Sequence, residues 1–151
     1  MRRLLIITVF VIHNMYGIAQ NGFTKPFWDA YNNAADPVSK REAYQKLEGI
    51  YSRYRADTAL LISNDYLQYA EKNDKNYTPY IRLRIGAVYT RKLEFEKAKQ
   101  YILPVLEESE RNKNDTVKAA ALYTIGNLNR GEKKESCAYK GFPRPLISTS
   151  A

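Results

Sequence analysis

The sequence is poor in the residue types on which catalytic and metal centres most often depend. Its 151 residues include one cysteine, Cys137, and one histidine, His13. A single cysteine excludes an internal disulfide and a cysteine-rich zinc site. Because His13 lies in a segment that we expect to be removed, the mature chain has no Ser-His-Asp or Cys-His arrangement. We therefore predict no enzymatic activity, no cofactor and no metal site.

Glycine and proline are also scarce, with seven and six residues, which is too few for a β-sandwich with many turns. The hydrophobic fraction of 44% supports a folded core, and the length suits one domain. Tyrosine is abundant, with 13 residues against one tryptophan. Its ring can pack while its hydroxyl reaches water, so this composition suits half-buried helix faces.

Long runs of one charge sign are absent, although the formal net charge is +8. Lysine and arginine alternate with acidic residues, as they do along 91–97. This mixture favours solvated helix faces over a continuous phosphate-binding stripe. Nucleic acid is therefore the disfavoured partner.

The N-terminus has the pattern of a signal peptide. Arg2 and Arg3 precede an apolar segment of nine residues, 4–12, and Gly17 and Ala19 supply the small side chains of a cleavage site. A nine-residue apolar segment is too short to cross a bilayer, which needs about 20 residues. We predict cleavage after Ala19, which makes residues 1–19 a signal peptide. The mature chain would then be periplasmic or secreted, with no membrane span.

Helical periodicity predicts an all-α protein, with a lead-in and short helix over 20–36 and a repeat domain over 37–130. The pairs Asp36-Pro37 and Thr78-Pro79 each place a capping residue before a first-turn proline. One stripe carries Ala43, Tyr44, Leu47, Ile50, Tyr51 and Tyr54 at helical spacing. Pro104 is expected to bend or shorten its helix.

The helices repeat a short pattern. An apolar residue, two mostly small ones, an apolar residue and then Tyr or Asn occur at 47–51, 85–89 and 125–129. The spacings of 38 and 40 residues indicate stacked antiparallel helix pairs, an α-solenoid of about two and a half repeats. A plain helical bundle with chance similarities is the alternative.

Ile85-Gly86, Tyr89, Ala98 and Ile102 carry a family likeness. They resemble the tetratricopeptide repeat pattern, in which Ala98 would lie between paired helices. The longer period is similar to that of the exported sensor regions of bacterial histidine kinases and related regulators. The likeness covers about residues 40 to 130.

This resemblance implies a partner-binding groove lined by the first helix of each pair. A solvated surface is the alternative for any single residue. The groove would include Gln45, Ser52, Leu83, Ala87, Thr90 and Asn127, and the residues expected to contact a partner are Arg53, Tyr80, Arg91, Tyr123 and Arg130.

Residues 131–151 have no apolar stripe, so we expect a disordered tail or a truncated repeat. A small natural protein with a disordered tail is the alternative to truncation. An incomplete last repeat would leave a helix without its partner, and we expect self-association through that end.

Together these observations favour a periplasmic protein–protein interaction module that binds a protein or peptide. It could be the sensor part, or a fragment, of a signal-transduction protein. The alternative is a basic helical module that binds nucleic acid or an acidic polymer.

Overall fold

The structure is a computed structural model that describes residues 22–141, and their side chains as far as residue 136. Over these residues it contains α-helices and one 3₁₀ turn, with no strand, which confirms the predicted all-α fold. The chain divides into two compact units, Met1–Ile62 and Ser63–Ala151.

Within residues 22–141, six α-helices follow one another with short connections. We number them in chain order as α1 22–32, α2 Pro37–Tyr54, α3 Ala56–Asn73, α4 Thr78–Arg91, α5 Phe95–Arg111 and α6 Asp115–Gly141, with the 3₁₀ turn at Lys75–Tyr77. Within 22–141, none of these helices combines the length and the apolar character that crossing a membrane requires.

The first unit shows the predicted start of α2. One carboxylate oxygen of Asp36 accepts hydrogen bonds from the backbone N–H groups of Val38 and Ser39, at 2.9 and 3.0 Å, and Pro37 follows as the first helical residue. The indole N–H of Trp28 donates to the Tyr51 hydroxyl at 3.1 Å. The buried apolar side chains of this unit are Tyr31, Ala43, Tyr44, Leu47, Ala59, Leu60 and Ile62.

In the second unit, α4 and α5 form an antiparallel hairpin. Gly86 lies where the two helices approach most closely. A Cβ placed on Gly86 would lie 2.4 Å from Cγ1 of Ile102 and 3.3 Å from the carbonyl oxygen of Ala98. Ala98 and Ile102 are fully buried, as the sequence predicted for Ala98. Glycine at residue 86 therefore permits this close packing.

The α6 helix packs against both α4 and α5. Its buried side chains join those of the hairpin in one core, which comprises Leu83, Ala98, Ile102, Val105, Val117, Ala121 and Leu128.

Two turns of the same type connect α4 to α5 and α5 to α6. Leu93 and Lys113 have positive φ values of 61° and 53°. The N–H of Glu94 donates to the Tyr89 carbonyl at 3.0 Å, and the N–H of Asn114 donates to the Ser109 carbonyl at 2.8 Å. These six-to-one hydrogen bonds define Schellman caps, which end both helices and reverse the chain.

The structure differs from the sequence prediction at the start of the tail. Residues 131–141 are not a structureless tail, because α6 continues through them to Gly141. Two contacts explain this: Gly131 packs close to Phe95, and Glu132 forms an ion pair with Lys99 at 2.8 Å. The predicted signal peptide, residues 1–19, and the end of the tail, 142–151, lie outside the described residues.

Two smaller expectations concern Pro104 and Tyr54. Pro104 does not shorten its helix, because α5 runs through it to Arg111, and a bend at this residue stays a prediction. Pro104 has no backbone N–H, so it cannot donate a hydrogen bond to the carbonyl of Gln100. Both residues are exposed, and water can therefore solvate that carbonyl. Tyr54 was expected on the buried stripe of α2 but is 84% exposed, since it is the last residue of the helix.

Candidate partner-binding groove

A groove with a volume of about 310 Å³ lies between α4 and α6. Both helices belong to the second unit. The groove is lined by Ala87, Thr90 and Arg91 from α4, and by Asn127, Arg130, Gly131 and Lys134 from α6.

Helical spacing brings these residues to one surface. The α4 residues follow one another at steps of three and one, and the α6 residues recur at i, i+3, i+4 and i+7. Residues three and four apart share a helix face, so each helix contributes one stripe to the groove. The neighbouring stripe of α4, with Ile85 and Val88, is fully buried.

Small side chains and tight packing form the floor of the groove. A Cβ placed on Gly131 would lie 3.1 Å from Cε1 of Phe95 and 3.4 Å from Cγ2 of Thr90. The Thr90 hydroxyl donates to the Gly86 carbonyl at 2.9 Å, which fixes the orientation of its methyl group. Glycine at residue 131 therefore lets α6 approach the α4–α5 hairpin.

The groove has a strong positive charge. Arg91, Arg130 and Lys134 line it, and no carboxylate is among its lining residues. In the part of the chain that the structure describes, no carboxylate lies within ion-pair distance of Arg130 or Lys134. Three cations in a concave surface attract anions and favour carboxylate or phosphate groups.

One of the two acidic residues next to the lining residues of α6 in the sequence, Glu132, bonds elsewhere. Glu132 accepts a hydrogen bond from the ammonium group of Lys99, which also contacts Glu96 at 2.9 Å. Both hydrogen bonds raise the pKa of Lys99, and the one to Glu132 has the larger effect. Glu132 therefore does not line the groove, and the positive charge there is not offset by this carboxylate.

The five residues predicted to contact a partner lie in different places. Arg91 and Arg130 line the groove, together with Ala87, Thr90 and Asn127 from the wider set. Tyr80 instead packs against the core and stacks on Tyr77, with ring centroids 5.4 Å apart. Leu83, from the wider set, is buried in that core.

The remaining predicted residues do not line the groove. Tyr123 is on α6 but is not among the residues that line the groove, and it is 72% exposed. Arg53 is an exposed residue near the end of α2, in the other unit. Gln45 and Ser52 also lie on α2 in that unit, and both are half-buried.

The sequence reasoning missed two lining residues, Gly131 and Lys134. Both follow residue 130, where the helix was expected to end. A signal was available, because Asn127, Arg130 and Lys134 continue the spacing of one helix face. Over residues 22–136, no group of three His, Cys, Asp or Glu side chains is arranged to hold a metal ion.

Comparison with known proteins adds no family to this picture. A scan against protein-family models finds no matching family, and searches of curated proteins and of solved structures find no significant match.

Proposed function

We propose that the protein is an interaction module that binds an acidic segment of a partner protein in the groove between α4 and α6. The observation that carries this proposal is the composition of that groove, with three cations, an asparagine and no carboxylate among its lining residues. Arginine and lysine donate charge-assisted hydrogen bonds to carboxylates, and these are the stronger kind.

The dimensions of the groove suit a short peptide segment. Its volume of about 310 Å³ is at the lower end of the range for ligand pockets, about 300–1,000 Å³. Asn127 offers both a donor and acceptors for a peptide backbone, while Ala87 and Gly131 have small side chains that leave room for the peptide. A few residues of an extended chain would fill it.

The arrangement of α4, α5 and α6 supports a tetratricopeptide-like repeat as the scaffold. A hairpin with a close approach at Gly86 is followed by a helix that packs against both of its members. The pattern at 85–89 recurs at 125–129 on α6. In this proposal the groove lies on the first helices of two successive repeats, and the module is the exported sensor part, or a fragment, of a signal-transduction protein.

A nucleic acid or acidic polymer is the second candidate, and the same basic groove favours it. The cationic stripe on α6 is short, however, because Arg130 and Lys134 are one turn apart, about 6 Å along the axis. Three phosphate contacts would give weak, strongly salt-dependent binding. A protein segment, which adds backbone hydrogen bonds, fits this surface better.

The test is a titration of the protein with a fluorescent peptide rich in Asp and Glu. A peptide of the same length with Asn and Gln in their place is the ligand control, and a single-stranded oligonucleotide is the competing class. We expect the acidic peptide to bind about tenfold more tightly than its amide version, because each charge-assisted hydrogen bond contributes about 1.5–3 kcal/mol.

Variants locate the binding surface. The double change Arg130→Ala with Lys134→Ala should weaken binding of the acidic peptide by about tenfold or more, by the same energies. Arg111→Ala removes an exposed cation from the end of α5 and should leave binding unchanged. Equal binding of acidic and amide peptides would overturn the proposal, and tighter binding of the oligonucleotide would favour the second candidate.

A further inference from the structure

A second surface of α6 lies opposite the side that packs on the hairpin. Val117, Ala121, Thr124 and Leu128 are buried on the inner side of this helix. At about 100° per residue, the opposite side carries a different set of residues. We call it the outer face of α6, and it consists of Asp115, Ala119, Leu122, Tyr123, Gly126 and Arg130.

The outer face exposes apolar and small residues over several turns. Leu122 is 50% exposed and Tyr123 is 72% exposed, and both are flanked by the small residues Ala119 and Gly126. A Cβ placed on Gly126 would meet no atom of the chain within 4 Å. Residue 126 occupies the place in its repeat that Gly86 occupies in α4, where α5 packs closely.

The outer face is complementary to itself when two such helices run antiparallel. A two-fold axis midway between residues 122 and 123 sets Leu122 of one copy beside Tyr123 of the other. The same axis sets Ala119 opposite Gly126, so small residues lie where the backbones approach. It also sets Asp115 opposite Arg130, which pairs opposite charges at both ends.

We propose that two copies of this chain associate through the outer face of α6 in this antiparallel register. The charges determine the direction. A parallel pair would set Asp115 beside Asp115 and Arg130 beside Arg130, and both contacts would be repulsive. An isologous pair with two-fold symmetry is also the commonest form of homodimer.

The association is expected to be weak. The paired surface runs from residue 115 to residue 130, about 22 Å along one helix. One helix pair buries less than the roughly 1,200–2,000 Å² of typical stable interfaces. The dimer is therefore expected at high protein concentration and to dissociate on dilution.

The first test is sedimentation equilibrium of the whole protein over a concentration series. We expect a reversible monomer–dimer equilibrium. Gly126→Leu adds a side chain where the paired helices would approach, and its Cβ meets no other atom of its own chain within 4 Å, so it should raise Kd at least about tenfold. Gly49→Leu is the matched control, because Gly49 is also a helical glycine with nothing within 4 Å of its Cβ position.

The second test exchanges the charges. Asp115→Arg and Arg130→Asp should each weaken the dimer, and the two changes together should restore it, because the opposite charges again face each other. Circular dichroism of each variant reports whether the monomer keeps its helices. Because Arg130 also lines the groove, the charge exchange can affect peptide binding as well. Gly126 does not line the groove, so Gly126→Leu is the variant that separates self-association from peptide binding.

Two outcomes would overturn the inference. One is a monomer at every concentration. The other is a dimer that Gly126→Leu and the charge exchange leave unchanged, which would show that another surface pairs.

Discussion

Two helices of the second unit carry the same short pattern in different surroundings. In α4 the glycine of the pattern, Gly86, has Ile102 and Ala98 of α5 packed against it. In α6 the corresponding Gly126 has no neighbour within 4 Å of its Cβ position. The glycine of this pattern therefore lets another helix pack closely in both places, while the tertiary structure decides whether a neighbouring helix is there.

The largest expected difference concerns two alanines, one in each environment. Ala98 is fully buried between α4 and α5, whereas Ala119 is exposed on α6. Ala98→Glu places an unpaired carboxylate in the core and should lower the free energy of unfolding by several kcal/mol. Ala119→Glu should change it by less than about 0.5 kcal/mol.

Chemical denaturation of the two variants at the same low protein concentration measures this difference. Lys97→Glu is a poor control, because the Lys97 ammonium contacts Glu94 at 2.6 Å. Similar unfolding free energies for Ala98→Glu and Ala119→Glu would refute the close α4–α5 packing.

For the two glycines, we expect replacement by alanine to change the free energy of unfolding in opposite directions. Gly86→Ala should destabilise the protein by about 1–3 kcal/mol, because the added methyl group would overlap the buried side chain of Ile102. Gly126→Ala should stabilise it by about 0.5–1 kcal/mol, since alanine favours the helix and nothing opposes its methyl group.

Thermal melts at low protein concentration give the sign directly. A stabilising Gly86→Ala would show that α5 can move away from α4 at little cost. A destabilising Gly126→Ala would show that this glycine has a neighbour in solution.

The smallest expected effect is the pH dependence at the turn that joins α4 to α5. The side chains of Lys97 and Lys92 donate hydrogen bonds to Glu94 and lower its pKa below the usual value of 4.5. The hydrogen bond from Lys97 has the largest effect. Because the folded-state pKa is the lower one, this contribution to stability is present above pH 4.5 and is lost as the pH falls below it.

Melting temperatures of the protein and of Glu94→Gln between pH 6 and pH 3 measure this effect. The difference between them should shrink as the pH falls. Asp36, the N-cap residue of α2, also has a lowered pKa, owing first to its hydrogen bond with the Ser39 hydroxyl. The stability of both proteins therefore falls in the same pH range. If the difference in melting temperature between the two proteins stayed constant with pH, titration of Glu94 would be excluded as a source of the pH dependence.

Periodicity and capping predicted much of the fold. The Asp36 cap, the helix stripes and the burial of Ala98 follow from local sequence, because helix geometry sets which residues share a face. Of the residues predicted to contact a partner, Arg91 and Arg130 line the groove and Tyr123 does not, and their contact with a partner stays a prediction. Tyr80 was misplaced because its ring packs on the core and on Tyr77, a contact across a turn that periodicity does not reveal.

The sequence alone determined the all-helical class and the start of α2, because hydrophobic spacing and the Asp36 cap act over a few residues. Only the tertiary structure decided that α6 continues past residue 130, since the stabilising contacts of Gly131 and Glu132 are with Phe95 and Lys99 of α5. It also decided which cations share the groove, because Arg91 meets Arg130 and Lys134 only when α4 and α6 lie side by side. Contacts between residues distant in sequence depend on how helices pack, and no local pattern specifies that packing.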